Sequence, residues 1–387
     1  MTTLDRPRCL DLWTSDRLKH WLTDIDGFVF DCDGVLWEGK REIPNANLLL
    51  RKYRYQHDAT KFTRSQAILL IHFFHSLLSF FFFHPHPDQL VTLGKKVVFV
   101  TNNATKNAHQ FIQKFQSFKM PLPQPEYLMS SGIATARYLA KHLNKGDKVY
   151  VVGEEGLHTT IREHGLTTVG LEHGGKNFED FKAYDPISVQ KDKSYSAVVV
   201  SFDGNFNYFK MAYAATLVRY NPNLLFVATN RDQASPLCPG CLVPGGGSMV
   251  VAVECASGRT PLLLGKPSRE LAQEIVDVCQ LEPSRMCMVG DRLNTDMLFG
   301  KSVGMKTMLV LSGVTTSNEA WSLSEDDPSR PDVIASSIAE MLCKDKADSD
   351  GGYEGDLSSG DMTDGGGSGI GSSGGVGRQH KRRRKDK

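Results

Sequence analysis

Two aspartates lie one residue apart in the stretch FVFDCDGVLWEG, which covers residues 28–39. Asp31 and Asp33 directly follow an apolar run and directly precede Gly34. Two carboxylates this close repel one another, and each is costly to remove from water. The pair therefore predicts a site in which groups from elsewhere in the sequence compensate the two negative charges.

Three later apolar runs end in residues that could supply such groups. VFVTNN ends in Thr101, Asn102 and Asn103, and a hydroxyl with backbone N–H groups at a strand-to-helix turn suits a phosphate group. LLLGK ends in the cation Lys266. We therefore expect the TNN residues to bind phosphate and Lys266 to compensate the carboxylates.

The fourth motif, MVGDRLNTDM, supplies two further carboxylates, Asp291 and Asp296, after another apolar strand. Each motif alone is weak evidence, because a DxD pair or a lysine after glycine is common. The ordered set of DxDG, TNN, GKP and GDxxxTD, each after an apolar run, predicts one shared site.

Short β-rich apolar runs alternate with helix-like segments, which is typical of a mostly parallel α/β architecture. The runs are continuously apolar, as expected for strands that helices cover on both faces. Ligands bind at the carboxyl ends of strands in open α/β sheets. The architecture would therefore bring the four motifs to one edge of a sheet.

The four motifs resemble the haloacid-dehalogenase (HAD) superfamily of phosphatases, over residues 25–47 and 90–342. The sequence is most similar to C2-capped phosphatases, a group that includes phosphoglycolate, pyridoxal and 4-nitrophenyl phosphatases. VYVVGEEGL, FNYFKMAYA and FVATNRD resemble the eukaryotic phosphoglycolate phosphatases most. The resemblance implies a Rossmann-like core, with a mostly parallel sheet and helices on both faces, and an inserted α/β C2 cap.

The resemblance also implies a role for each charged residue. Asp31 would attack the substrate phosphorus and form an aspartyl-phosphate. Asp33 would protonate the leaving alkoxide and then act as base for the water that cleaves the acyl-phosphate. Lys266 would pair with Asp31 and the phosphate. Mg²⁺, which prefers oxygen ligands, would be held by Asp31, the backbone carbonyl of Asp33 and Asp291, with Asp296 binding its waters or orienting Asp291.

The segment between TNN and GKP is too long for a simple crossover, so we expect a separate cap that covers the site. The predicted divisions are an N-terminal segment (1–24), a core (25–144 and 244–344), a cap (145–243) and a tail (345–387). Arg231, in TNRD, has two interpretations. It contacts a substrate carboxylate, or it is a structural arginine that bridges its loop.

Two regions do not fit this organisation. Residues 51–89 interrupt the core, and their apolar stretch 67–83 is at the short limit for a membrane span. We interpret them as an inserted loop or translated non-coding sequence, with a membrane anchor as the alternative. The Gly/Ser-rich tail has too few apolar residues to form a core, so we expect it to be disordered.

The composition of the 387 residues is that of a globular protein, with 40% hydrophobic residues and a formal charge of +1. This charge gives no reason to expect nucleic-acid binding. Eight cysteines without a signal-like N-terminus predict reduced thiols in the cytoplasm. Nuclear import through the basic residues 381–385 is the alternative. A homodimer formed through the cap is implied by the resemblance only.

The leading hypothesis is a Mg²⁺-dependent phosphomonoesterase that acts on a small metabolite, 2-phosphoglycolate. The alternative within the same fold is pyridoxal phosphate or a broad 4-nitrophenylphosphatase activity, although GEEGL and TNRD favour phosphoglycolate. A hypothesis of another class is a non-catalytic scaffold inactivated by the insert. The four intact motifs argue against the scaffold.

Overall fold

The computed structural model describes residues 21–54, 95–238 and 241–342. The predictions for most of the insert, including the apolar stretch 67–83, lie outside these residues. So do the predictions for the tail, with its basic residues 381–385, and for most of the N-terminal segment.

The described residues form strands and helices in alternation. In sequence order the strands are β1 (Gly27–Phe30), β2 (Trp37–Glu38), β3 (Arg41–Glu42), β4 (Lys96–Thr101), β5 (Leu128–Ser130), β6 (Lys148–Val152), β7 (Thr167–Val169), β8 (Tyr195–Val200), β9 (Leu225–Ala228), β10 (Ala234–Cys238), β11 (Cys241–Pro244), β12 (Leu262–Leu263), β13 (Met286–Gly290), β14 (Lys306–Val310) and β15 (Val333–Ala335). The helices are α1 (Ala46–Arg54), α2 (Ala108–Ser117), α3 (Ser131–His142), α4 (Glu155–Glu163), α5 (Phe178–Ala183), α6 (Pro186–Lys191), α7 (Tyr208–Tyr220), α8 (Gly246–Ser257), α9 (Arg269–Cys279), α10 (Leu298–Ser302) and α11 (Ser317–Trp321).

The first sheet has six strands in the order β15-β14-β13-β1-β4-β5, and every neighbouring pair is parallel. The polypeptide moves outward from β1 through β4 and β5, and it later builds β13, β14 and β15 on the other side. The strand order therefore reverses at β1, and such a switch point is where open α/β sheets bind ligands. Asp31 is the residue that follows β1.

The residues of β1 are buried throughout because the strand is central in the sheet. Phe28 and Phe30 are fully covered, and Phe30 stacks with Phe99 of β4. This continuous burial explains why the strand has no alternating polar residues. The prediction of a mostly parallel α/β core is confirmed.

A second, wholly parallel sheet has the order β12-β9-β8-β6-β7 and packs against its own set of buried residues. It is the predicted α/β cap. The cap does not end at residue 243, as we had expected from the Gly-rich return segment. Val250 and Val253 of α8 are buried in the cap core, and β12 pairs with β9. The apolar face of α8 explains the difference, because it needs a sheet to cover it.

Two small hairpins complete the fold. β2 and β3 pair directly after the Asp31–Asp33 segment, and β10 pairs with β11 in the loop that follows β9. Trp37 of β2 is fully buried and packs edge-on against Phe115 of α2, at 5.1 Å between ring centroids. This contact fixes α2 beside the first hairpin.

No helix in the described residues is long and apolar enough to cross a membrane. The candidate span at 67–83 lies outside them.

Candidate active site

Asp31 lies at the centre of the site because β1 ends there. Its backbone N–H donates to the carbonyl of Val289 in β13 at 2.9 Å, which extends the sheet by one residue. Its carboxylate accepts a hydrogen bond of 2.6 Å from Nζ of Lys266. Burial raises the pKa of Asp31 well above its usual range, and Lys266 opposes that shift. The predicted contact between the two residues is therefore present.

Lys266 is held by its backbone as well as by its charge. Its N–H donates to Oδ1 of Asn102 at 2.8 Å, and its carbonyl accepts from Nδ2 of Asn102 at 3.1 Å. Its ammonium group also lies 2.7 Å from Oδ1 of Asp296. Burial alone would lower the pKa of Lys266, but the carboxylates of Asp296 and Asp31 raise it. The lysine is therefore a fixed positive charge.

Asp296 is completely buried and holds the loop after β13 in place. Its Oδ2 accepts hydrogen bonds of 3.0 Å from the backbone N–H groups of Asp291 and Arg292. The carboxylate lies behind the cavity surface, bonded to this loop and to Lys266. Orientation of Asp291, one of the two roles implied for Asp296, is the role that these bonds support.

A magnesium ion fits the carboxylates at the end of β1. Oxygen atoms of Asp31, Asp291 and Asp296 lie within 4.8 Å of one another. Oδ2 of Asp291 accepts from the N–H of Val314 at 2.7 Å, whereas its buried Oδ1 has no hydrogen-bond partner among the described residues. Burial, and then the charge of Asp296, raise the pKa of Asp291 to about 7. A divalent cation would supply the missing partner and favour the ionised carboxylate.

The turn after Asp33 depends on a glycine. Gly34 has φ of +88°, and a Cβ there would lie 2.4 Å from Oδ2 of Asp291. Both the conformation and the close approach exclude a larger residue. Gly34 thus allows the Asp31–Asp33 segment to lie directly against Asp291.

Asp33 has its own set of partners. Oδ1 of Asp33 accepts hydrogen bonds from the indole N–H of Trp37 at 2.9 Å and from Nζ of Lys114 at 3.3 Å. Lys114 also lies over the Trp37 ring, with Nζ at 4.4 Å from the centroid. Asp33 is partly exposed, unlike Asp31, and so can exchange a proton with a substrate or water.

Thr101 ends β4, and Asn102 and Asn103 begin the turn that follows it, although α2 begins only at Ala108. Oγ1 of Thr101 accepts from the N–H of Asn103 at 3.1 Å, and Oδ1 of Asn103 accepts from the N–H of Thr105 at 2.9 Å. Asn102 is used to hold Lys266, as described above. Phosphate binding by these three residues stays a prediction.

A cavity of about 1150 Å³ joins these groups. The cap contributes Phe202 and Gly246 to its lining. Seven of the predicted site residues line it: Asp31, Asp33, Thr101, Asn102, Asn103, Lys266 and Asp291. The structure therefore brings the four motifs to one cavity beneath the cap.

Arg231 does not line this cavity. Its guanidinium group pairs with Glu254 of α8, which matches the interpretation of a structural arginine that bridges its loop. Five cationic residues that we had not singled out do line it, namely Lys40, Arg41, Lys106, Lys114 and Arg292. Arg292 donates to the carbonyl of Ala234 at 3.1 Å. Its place beside Asp291 in the GDR motif was the available sequence signal, whereas Lys114 offered none.

Comparison with known proteins places this site in context. Residues 28–167 match the model of the haloacid dehalogenase-like hydrolases, and residues 263–341 match a second model of HAD-type hydrolases. The protein is 35% identical to phosphoglycolate phosphatase 2 of Arabidopsis thaliana over 86% of its own length and 97% of the relative. It is 31% identical to glycerol-3-phosphate phosphatase of Gallus gallus over 83% of its own length and 92% of the relative.

A solved structure is also similar. The glycerol phosphate phosphatase of Mycobacterium tuberculosis, determined in complex with magnesium, is 25% identical and has a TM-score of 0.59. The match covers 83% of the present protein and 77% of that protein. The similarity thus extends over the core and the cap together.

Proposed function

This protein belongs to the haloacid dehalogenase-like hydrolases and is a phosphatase, and we propose that it hydrolyses 2-phosphoglycolate to glycolate and phosphate with Mg²⁺. The observation that carries the proposal is the 2.6 Å contact between Asp31 and Lys266, beside the Oδ1 of Asp291, which has no hydrogen-bond partner in the described part of the protein. This arrangement supplies a buried nucleophile, a fixed cation and an available metal-ligand atom within one cavity.

In the first half-reaction Asp31 attacks the phosphorus, and the bond from phosphorus to the ester oxygen breaks. Lys266 neutralises negative charge on the carboxylate and on the transferred group. Asp33 donates its proton to the leaving oxygen, which departs as the alcohol. The products of this step are an aspartyl-phosphate on Asp31 and free glycolate.

In the second half-reaction Asp33, now ionised, takes a proton from water. The water oxygen attacks the phosphorus and the acyl-phosphate bond breaks. Inorganic phosphate is released, and the Asp31 carboxylate is restored. Asp33 regains its proton, so one residue serves both steps. Its hydrogen bonds to Trp37 and Lys114 keep the carboxyl group on the cavity side of the turn.

Asp31, the backbone carbonyl of Asp33 and Asp291 would hold the magnesium ion, with Asp296 supporting Asp291 from behind. When bound, the ion supplies electrostatic stabilisation of the transferring phosphoryl group. The fit rests on the grouping of three carboxylates and on the Oδ1 of Asp291, for which no described residue supplies a hydrogen bond.

The substrate preference is supported by the similarity to phosphoglycolate phosphatase 2. The similarity to glycerol-3-phosphate phosphatase makes glycerol 3-phosphate the substrate to compare with it. Pyridoxal phosphate and p-nitrophenyl phosphate test the broader specificity that the sequence left open.

The test is a phosphate-release assay of the full-length protein with Mg²⁺ and these four substrates. We expect the highest kcat/KM for 2-phosphoglycolate and loss of at least about a thousandfold in Asp31→Asn. Equal turnover by wild type and Asp31→Asn would refute the role of Asp31 as the nucleophile. A variant that lacks residues 51–89, tested alongside, shows whether the insert suppresses activity as the scaffold hypothesis requires.

A further inference from the structure

We propose that Lys106 and Lys114 form a subsite that binds a carboxylate on the leaving group of the substrate. The inference rests on the proposed function, because it specifies what lies beyond the scissile phosphate. The cavity beneath the cap contains more cationic side chains than phosphate transfer requires, and these two lie next to the acid/base residue.

The charges of the cavity divide into two groups. Asp31, Asp291 and Asp296 are grouped around Lys266 and would be balanced further by a metal ion. Elsewhere the lining carries three carboxylates and five cations. The carboxylates belong to Asp33, Glu38 and Asp232, and the cations to Lys40, Arg41, Lys106, Lys114 and Arg292. An anion that enters with the substrate would therefore be attracted to this second group.

Lys114 lies where the leaving group must lie. Its Nζ is 3.3 Å from Oδ1 of Asp33, and Asp33 must reach the ester oxygen with a hydrogen bond of about 2.8 Å. Because Oδ1 already accepts two hydrogen bonds, Oδ2 is the oxygen that reaches the ester, and the ammonium group is within about 8 Å of the ester oxygen when the separation of the two carboxylate oxygens is added. In phosphoglycolate the carboxylate is only two bonds beyond the ester oxygen, so it can lie within reach of Lys114.

Lys106 supplies the second positive charge of the proposed subsite. It makes no ion pair with a described residue, and it lines the same cavity. Burial is the largest cause that lowers the pKa of Lys114, and the positive charge of Lys106 is a further cause. Two positive charges that line one cavity both attract a carboxylate, so the pair forms an anion site.

The backbone of Lys106 is held against the cap. A Cβ at Gly156, in the first turn of α4, would lie 2.2 Å from the carbonyl oxygen of Thr105 and 2.7 Å from Cα of Lys106. Gly156, the second glycine of GEEGL, thus lets the cap helix pack directly on this loop. The position of Lys106 is therefore determined by the closed arrangement of core and cap, as a specificity residue requires.

The experiment compares 2-phosphoglycolate with ethyl phosphate, which has a methyl group in place of the carboxylate. The readout is the ratio of their kcat/KM values, measured on the full-length protein with Mg²⁺. We expect wild type to prefer phosphoglycolate and Lys106→Met to lower the ratio about tenfold or more. Lys106→Arg keeps the charge and should keep most of the preference. Lys141→Met, at an exposed lysine of α3 outside the cavity, is the matched control and should keep the wild-type ratio.

Lys114→Met is the second variant, and it too should lower the ratio. Because Lys114 also contacts Asp33, a lower turnover of this variant does not identify the subsite. The ratio of the two kcat/KM values does. If kcat/KM falls by the same factor for both substrates in both lysine variants, the ratio is unchanged and the subsite is overturned.

Binding separates this proposal from the proposed function. Isothermal titration of Asp31→Asn with each of the two phosphomonoesters, in the presence of Mg²⁺, needs no turnover. We expect phosphoglycolate to bind about tenfold tighter than ethyl phosphate, and this difference to vanish in Asp31→Asn/Lys106→Met. Equal binding of the two compounds by Asp31→Asn overturns the subsite even if wild type is an active phosphatase. A Lys106-dependent preference in binding supports the subsite even if wild type releases no phosphate.

Discussion

The ammonium group of Lys266 lies 2.6 Å from Oδ1 of Asp31, although the two residues are 235 positions apart in the sequence. Asp31 directly follows the first strand of the core, whereas Lys266 follows the last strand of the cap sheet. Both are almost completely buried. The contact therefore requires that the core and the cap are both folded, and it couples the nucleophile to the return of the polypeptide from the cap.

Replacing Lys266 by methionine should lower both stability and turnover. The change removes the ammonium group between the carboxylates of Asp31 and Asp296, and breaking a buried ion pair on one side costs about 3–5 kcal/mol. We expect the free energy of unfolding of metal-free protein, measured with urea, to fall by about that amount. We expect kcat to fall at least about a hundredfold.

Lys210→Met is the matched control, because Lys210 makes a buried ion pair of 2.6 Å with Asp203 in the cap, and neither residue lines the cavity. It should be destabilised to a similar extent while retaining most of its kcat at a temperature where it is folded. An equal loss of kcat in the two variants would show that Lys266 acts through stability alone.

Magnesium should stabilise the folded protein through Asp291. Its Oδ1 is buried and lacks a hydrogen-bond partner among the described residues. A ligand that binds only the folded state stabilises it by about 2.7 kcal/mol at a hundred times its Kd. We expect Mg²⁺ to raise the Tm of wild type, and EDTA to reverse the rise. Asp291→Asn should lose this shift.

Asp332→Asn is the control for this measurement, since its carboxylate accepts from the N–H of Thr307 and is not part of the carboxylate group at the site. It should keep the Mg²⁺-dependent rise in Tm whatever its own stability. A full rise in Asp291→Asn would exclude Asp291 as a ligand.

The parts of the site that could be predicted were those at strand ends. Asp31 and Asp291 follow β1 and β13, which are neighbours in the core sheet, and a parallel sheet brings the ends of its strands to one edge. Their proximity therefore follows from the local pattern and one rule of architecture. Lys266 also follows an apolar run, but that run belongs to the cap sheet, so its contact with Asp31 depends in addition on how the cap packs on the core.

The parts that could not be predicted depend on side-chain packing. Lys114 lies in the last turn of α2, and it lies over the ring of Trp37, which packs against Phe115 of the same helix and brings Lys114 to Asp33. Asn102 looked like a phosphate ligand, but its amide group is bonded to the backbone of Lys266. The end of the cap was predicted too early because the Gly-rich segment was interpreted as the return to the core, and the apolar face of α8 that follows it was not recognised.

Substitution of two arginines tests which of them contributes to catalysis or substrate binding. Arg231 is paired with Glu254 outside the cavity, whereas Arg292 lines the cavity and donates to Ala234. Breaking a partly exposed ion pair costs about 0–1 kcal/mol, so Arg231→Gln should change kcat/KM by no more than about twofold. Arg292→Gln should lower kcat/KM at least about tenfold, and equally for 2-phosphoglycolate and ethyl phosphate. A selective rise in KM for phosphoglycolate in Arg231→Gln would instead support contact between Arg231 and the substrate carboxylate.

His158 should make the cap unstable at mildly acidic pH. It is fully buried in α4, and neither ring nitrogen has a hydrogen-bond partner among the described residues. Burial lowers its pKa to about 4, with a smaller effect from Arg162. In the unfolded state the pKa of this histidine is about 6.5. Between pH 4 and pH 6.5 it is therefore protonated in the unfolded state and neutral in the folded protein. Stability should therefore fall as the pH falls through this window.

For His158 alone the expected loss in the free energy of unfolding between pH 7 and pH 5 is about 2 kcal/mol. The measurement is urea unfolding of wild type and His158→Leu at both pH values, since leucine fills the site without a titrating group. The variant should lose less stability on acidification by about that amount. It should keep the share due to His173, whose pKa burial also lowers to about 4. An equal loss in wild type and variant would mean that His158 is protonated in the folded cap or becomes exposed to water before the cap unfolds.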